Sequence, residues 1–230
     1  AYAVIGVMGP NSRALLQSLT PYDLSNENFP FAHSREIELG MSLVRASRIT
    51  YVGELGWELY VPTEFAAHIF EGIMEAGSEF GLMPAGLHAL NSLRIEKAYR
   101  HWGHDITEVE TPIEAGLDFA VKTDKPSFIG RDAILRQKET GVKARLVQFA
   151  LTDSEAMLYH NEPIYRDGII VGNIESGMYG HTLGAAIGLG YVKNEEGVDA
   201  DFVKSGTYEL EVAGQRIAAS ASLRPMYDPK

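Results

Sequence analysis

Two stretches of the chain concentrate side chains able to do chemistry. The first runs from Gly86 to Phe119 (GLHALNSLRIEKAYRHWGHDITEVETPIEAGLDF) and sets His101, His104 and Asp105 close together beside Tyr99 and Trp102. Imidazoles and a carboxylate at such spacing are the residue types that bind zinc or iron. Here the two histidines straddle the expected end of a helix, so no single helix face aligns them. Capping and loop hydrogen bonds are the use this favours, and no metal site is assigned.

The second stretch is Tyr51 to Tyr60 (YVGELGWELY). In a strand beginning near Trp57, Glu58 alternates against Trp57 and Leu59 and projects from a face whose neighbours are Gly56 and Tyr60. Two readings stand. One is a solvated edge strand; the other is a carboxylate accepting two parallel N–H bonds from a flat heterocycle, with rings nearby to sandwich it. Two further patterns carry less. Gly6-Val7-Met8-Gly9 lacks the third glycine of a dinucleotide fingerprint and the Gly-Lys-Ser/Thr of a P-loop, so a tight strand-to-helix turn suffices. Ser176 has no glycine two positions before it, which rules out a nucleophile elbow and leaves a β-turn as the expectation.

The elements that must position these residues follow from periodicity and punctuation. Ala3 to Val7 reads as a strand, and Asn11-Ser12 caps a helix bearing Leu15, Leu16 and Leu19. Two strands flank Gly40, and Trp57 to Val61 is another. Thr63 is expected to cap a helix with Phe65, Ile69, Phe70, Ile73 and Met74 on its apolar face, stopped by Gly81. Pro84 then opens the helix of the first stretch. Leu87, Leu90 and Leu93 form its face, Gly103 is expected to end it, and Thr111-Pro112 keeps the acidic segment from extending it. A strand is expected over Leu117 to Val121 and a short helix up to Gly141. From Ala144 onward come short β-rich runs separated by Asp167-Gly168, Ser176-Gly177, Asn194 to Gly197 and Gly214, as in a small antiparallel barrel or sandwich.

Composition bounds the function classes. At 230 residues, with 45% hydrophobic and 22% charged, the chain can bury one substantial core or two modest ones. No apolar run reaches the roughly 18 residues of a membrane span, and AYAVIGVMGP lacks the basic start of a secretory signal. The absence of cysteine removes disulfides, thiolate metal sites and cysteine nucleophiles. A net charge of -11 without a long basic run argues against a nucleic-acid partner, although a few arginines could hold an anionic small molecule.

The blocks GPNSRALLQSLT, YVGELGWELYVP, ALNSLRIEKAYRHWGHD, TPIEAGLDF, FIGRDAI and DFVKSGTYEL, in this order, resemble the folate-binding module shared by glycine-cleavage aminomethyltransferases and the C-terminal part of sarcosine and dimethylglycine dehydrogenases. The likeness runs essentially from end to end, and IEKAYRHWGHD and the C-terminal block look more like the dehydrogenase branch. The resemblance implies an α+β fold: part of an aminomethyltransferase-type folate-binding domain over 1–122, a connecting helix over 123–143 and a small antiparallel β-barrel over 144–230. It implies a tetrahydrofolate pocket at a domain junction, with Glu58 on the pterin, Tyr99 and Phe119 as aromatic contacts, Arg145 on the glutamate tail, and Tyr51 and Trp57 as further cofactor-binding neighbours.

The resemblance also implies an FAD domain upstream in the same chain that oxidises an N-methyl amine, the one-carbon unit passing to folate as 5,10-methylenetetrahydrofolate. The family's catalytic aspartate falls upstream of Ala1, so no catalytic residue is assigned and the segment alone is expected not to oxidise an amine. Where glycine-cleavage enzymes carry an arginine, this chain has Leu90, in keeping with the dehydrogenase branch. The alternatives are a glycine-cleavage-type aminomethyltransferase, which would need a lipoyl carrier protein, and a non-catalytic assembly domain. A nucleic-acid-acting branch with a cysteine-containing block is disfavoured by the lack of cysteine. No membrane partner is expected; the implied compartment is the cytoplasm in a bacterium or the mitochondrial matrix in a eukaryote.

Overall fold

The two-residue period of Ala3, Ile5 and Val7 turns one side of β1 (Tyr2–Met8) toward an apolar core and the other side, Tyr2, Val4 and Gly6, outward. The computed structural model describes residues 1–228, so positions 229 and 230 of the expected barrel span lie outside the described residues. Tertiary contacts divide the chain into units 1–90 and 91–228.

In the first unit, β1 joins β2 (Ser34–Leu39), β3 (Ser42–Ser47) and β4 (Gly56–Pro62) in an antiparallel sheet of order β1-β4-β3-β2. Gly40, at φ +55, turns the β2–β3 hairpin. Helices α1 (Ser12–Leu19) and α2 (Ala66–Gly77) supply Leu15, Leu16, Ile69 and Ile73 to the core formed with Val44, Trp57, Leu59 and Val61. Each such side chain contributes roughly 1.5–3 kcal/mol when fully enclosed. Both expected caps fail. Asn11 makes no cap bond and donates instead to the carbonyl of Phe80 at 3.0 Å, while Thr63 begins a three-residue 3-10 turn, so that α2 starts only at Ala66. The Thr63 hydroxyl donates instead to the neighbouring Glu64 carboxylate at 3.3 Å.

The second unit takes in the C-terminal part of α3 (Leu87–Glu96), then α4 (Arg131–Thr140) and six strands: β5 (Ala144–Leu151), β6 (Pro163–Arg166), β7 (Ile169–Gly180), β8 (Ala185–Lys193), β9 (Tyr208–Val212) and β10 (Gln215–Ser222). These close into an antiparallel barrel of order β10-β5-β8-β7-β6-β9. Asp167-Gly168 and Ala213-Gly214, all at positive φ, form the tight β6–β7 and β9–β10 turns. A short helix α5 (Ala200–Ser205), absent from the sequence reading, is capped by Asp199, whose carboxylate accepts from Phe202 N–H at 2.7 Å.

Three segments depart from the structure their sequence suggests. First, α3 ends at Glu96, well before Gly103. Ala98 takes the left-handed conformation (φ 54), its N–H bonds Ile95 O and Tyr99 N–H bonds Arg94 O, which is the Schellman pattern. An alanine in that role gives no glycine signal. Second, Leu117 to Val121 is no strand: Ala120 N–H bonds Leu117 O and Val121 N–H bonds Asp118 O, a 3-10 turn whose donors are met locally and which pairs with no strand. Third, Ser176-Gly177 lies in mid-β7 rather than in a turn. A bulge between Ile174 and Ser176 makes Glu175 the extra residue, and a Cβ on Gly177 would strike the Leu158 backbone at 2.4 Å.

Candidate functional site

Tyr51, Trp57 and Glu58 belong to the first unit; Tyr99, Phe119 and Arg145 belong to the second. Strand alternation separates Trp57 from Glu58. Trp57 is wholly enclosed, edge-on to Phe29 at 6.2 Å, with the guanidinium carbons of Arg13 and Arg48 at 5.8 and 5.7 Å from its ring centre. Its ring offers no face to a ligand, so what it supplies is the anchoring of β4. Glu58 points the other way, to the sheet face away from the helices, and its Oε2 accepts the Tyr60 hydroxyl at 2.8 Å. That bond, with the nearby charge, raises the tyrosine above its ordinary pKa and keeps it a donor. Tyr51 sits half-buried in the turn leading into β4.

In the second unit, the face that α3 buries is polar. Leu87 and Leu93 are exposed, whereas Ser92, Arg94, Ile95 and Glu96 are buried. The reason lies in partners remote in sequence. Ser92 Oγ donates to Tyr179 O at 2.6 Å, and Glu96 Oε1 accepts from Thr182 and Leu183 N–H at 2.8 and 2.9 Å. Gln148, on β5, donates to Ile95 O and Glu96 O at 2.7 and 3.1 Å. Arg94 is the centre: it pairs with Asp105, donates to Ser176 Oγ at 3.0 Å and to Tyr99 O at 2.9 Å. Asp105 Oδ2 in turn accepts His101 N–H at 2.7 Å. The backbone of Tyr99 is thereby fixed from both sides.

His101 and His104 have ring centres 6.1 Å apart, and His104 and His160 6.3 Å. Among the described residues no set of three His, Cys, Asp or Glu is arranged to hold a metal ion. Glu175, the bulge residue, has its pKa raised first by burial and then by Asp105 and Glu110, against His104 and Lys193. Burial likewise raises Tyr191. Arg100 donates to Ala115 O and Ala98 O at 3.0 and 2.7 Å, and its pKa is lowered by burial and by the charge of Arg145. Arg145 sits on β5 opposite Val192, and its buried Nε has no hydrogen-bond partner. Phe119 rides on the 3-10 turn with its side chain 76% exposed. Of these residues, the Arg94–Ser176 contact escaped the sequence reading because 82 positions separate its members.

A profile of the GCVT N-terminal domain matches residues 1–125, and one of the glycine cleavage T-protein C-terminal barrel domain matches residues 145–228. The chain belongs to the glycine cleavage T-protein family. It is 43% identical over 231 residues to 4-methylaminobutanoate oxidase (formaldehyde-forming) of Paenarthrobacter nicotinovorans, a match covering 100% of this chain and 27% of that protein. Human mitochondrial sarcosine dehydrogenase is 42% identical over 229 residues, covering 98% of this chain and 25% of the relative. The crystal structure of the glycine cleavage system aminomethyltransferase T from Bartonella henselae superposes with a TM-score of 0.83 at 25% identity, covering 99% of this chain and 60% of that one. This T-protein-family chain thus spans about a quarter of the length of these two curated relatives. Among the described residues no helix is long and apolar enough to cross a membrane.

Proposed function

We propose that this chain is the tetrahydrofolate-binding segment of an FAD-dependent dehydrogenase acting on an N-methyl amine such as sarcosine or dimethylglycine, with the flavin domain elsewhere in the same polypeptide. The carrying observation is Glu58: a carboxylate set on the outer face of β4, with one oxygen held by Tyr60 and capacity left to accept two parallel N–H donors. The residues fit the ligand. Phe119 exposes a ring, and Arg145 carries a buried N–H without a partner. The two dehydrogenase- and oxidase-type relatives carry in their names amines bearing an N-methyl group, which supports the class of substrate.

In this reading the flavin supplies the two-electron oxidation of the methylamine, and bound tetrahydrofolate supplies the amines that take up the one-carbon unit as 5,10-methylenetetrahydrofolate. The chain's own work is positioning. Glu58 orients the pterin, Tyr99 and Phe119 provide stacking faces, Arg145 meets the carboxylate tail, and Trp57 and Tyr51 hold the strand and turn that carry Glu58. Fixing a reactive carbon beside its acceptor raises its effective concentration and excludes hydrolysis. The organisation into a folate-binding portion over 1–122, a connecting helix and a barrel from 144 is part of the same proposal.

Titrating tetrahydrofolate into the full-length protein and into its Glu58→Gln variant tests this. Loss of affinity in the variant is expected, and equal affinity would remove Glu58 from the site. A second reading, an aminomethyltransferase that works with a lipoyl carrier protein, is favoured by the likeness to the Bartonella henselae T protein. The visible spectrum of the full-length protein separates the two, since only the dehydrogenase carries flavin absorbance.

A further inference from the structure

Three of the four nearest same-face neighbours of Glu58 are small, and the Met8 side chain lies over the two glycines among them. On an antiparallel sheet the nearest same-face neighbours of a residue are those two positions away on its own strand and those directly opposite on the flanking strands. For Glu58 these are Gly56 and Tyr60 on β4, Gly6 on β1 and Ser47 on β3. Two are glycines. The third small one, Ser47, turns its hydroxyl to Ser34 Oγ at 3.0 Å. Only Tyr60 reaches the carboxylate.

The two glycines exist for different reasons. At Gly56 a Cβ would meet Met8 Cγ at 2.8 Å and Val7 O at 3.1 Å, so packing forbids a side chain there. Gly6 has no such excuse. Its φ is not in the left-handed region, and the nearest atom to an added Cβ is Met8 Cε at 3.4 Å, an ordinary contact. A glycine in mid-strand forgoes the packing and backbone stiffness that a valine would bring. One that neither backbone nor neighbours require marks a place where something else comes close.

The register sharpens this. Gly9 N–H bonds Leu55 O at 2.7 Å, which fixes the alternation of the β1–β4 ladder and makes Gly6–Glu58 a pair without mutual hydrogen bonds. In such pairs the Cα atoms are typically about 4.5 Å apart and side chains lie directly against each other. A side chain at position 6 longer than alanine's would therefore share the face beside Glu58 with Met8, whose Cε lies 3.4 Å from an added Cβ.

We infer that Gly6 is a specificity-determining residue: it keeps the β1 flank of Glu58 open so that a flat heterocycle with two adjacent N–H donors lies over the strand, while Tyr60, on the β4 side, is a positioning residue that fixes the carboxylate's rotation. This rests on the folate reading and adds to it the direction from which the ring approaches and the residue that sets how close it comes.

The test uses the full-length protein, tetrahydrofolate titration and thermal melting on Gly6→Ala, Gly6→Val, Tyr60→Phe and Glu58→Gln. Gly6→Val is expected to melt no lower than wild type and to bind about tenfold or more weakly, with Gly6→Ala in between. Tyr60→Phe loses a hydrogen bond to a charged group and is expected to bind about threefold to tenfold more weakly with an unchanged melt. Should Gly6→Val unfold, Gly6→Ala decides. Both Gly6 variants binding like wild type while Glu58→Gln fails to bind would overturn the role of Gly6 and leave the folate reading in place. Wild-type binding by Glu58→Gln would sink the reading itself, and this inference with it.

Discussion

Arg94 and Asp105 form an ion pair enclosed almost completely, with the side chains 3% and 0% exposed. The pair ties the end of α3 to the loop that carries His101 and His104, and through Ser176 to the bulge of β7. A buried pair is costly to make, but breaking it by removing one member leaves an uncompensated charge in a low-dielectric site.

Asp105→Asn is therefore expected to destabilise the second unit by about 3–5 kcal/mol. Urea denaturation followed by far-UV circular dichroism measures it. A change within about 0.5 kcal/mol, the range of ordinary surface substitutions, would show that the pair contributes nothing net.

Adjacent residues of β4 should behave oppositely. Trp57→Ala empties the enclosed core position and is expected to cost about 3–5 kcal/mol of stability. Glu58→Gln, on the outer face, should leave the melt nearly unchanged and instead weaken tetrahydrofolate binding. Melting and titration of both variants, side by side, check the separation.

Phe119 is a large apolar side chain left exposed on a turn. Phe119→Ala is expected to move stability by less than about 0.5 kcal/mol. Under the proposed function it removes a stacking partner, a loss of about threefold to tenfold in affinity. A stability loss without an affinity loss would assign the ring to packing instead.

Glu175 carries a pKa raised first by burial and then by the charges of Asp105 and Glu110. A carboxyl whose folded-state pKa lies above its unfolded value holds its proton more tightly when folded. Its contribution is thus fully favourable below the ordinary carboxyl range and is lost as pH rises through the raised value. Glu175→Gln, which cannot ionise, should melt higher than wild type at about pH 8, and the gain should shrink toward about pH 4 as the native carboxyl protonates. Melting curves across that range settle the sign.

Features that rest on neighbours close along the chain were legible in the order of residues alone. The two-residue period placed β1 and β4 and put Glu58 and Tyr60 on one face and Trp57 on the other, since strand alternation allows nothing else. Turn residues such as Asp167-Gly168 divided the barrel strands, and six ordered blocks identified the family. Tertiary structure decided what depends on distant partners. The leucines of α3 read as its buried face, yet Ser92, Arg94 and Glu96 went inside because Tyr179, Ser176 and the Thr182–Leu183 amides were there to receive them. Ser176 read as a turn and became the middle of a bulged strand, and Ala98 ended a helix without a glycine. A buried polar group is admitted only where its hydrogen bonds are met. For α3 those partners are folded in from more than eighty positions away, beyond the reach of any local pattern.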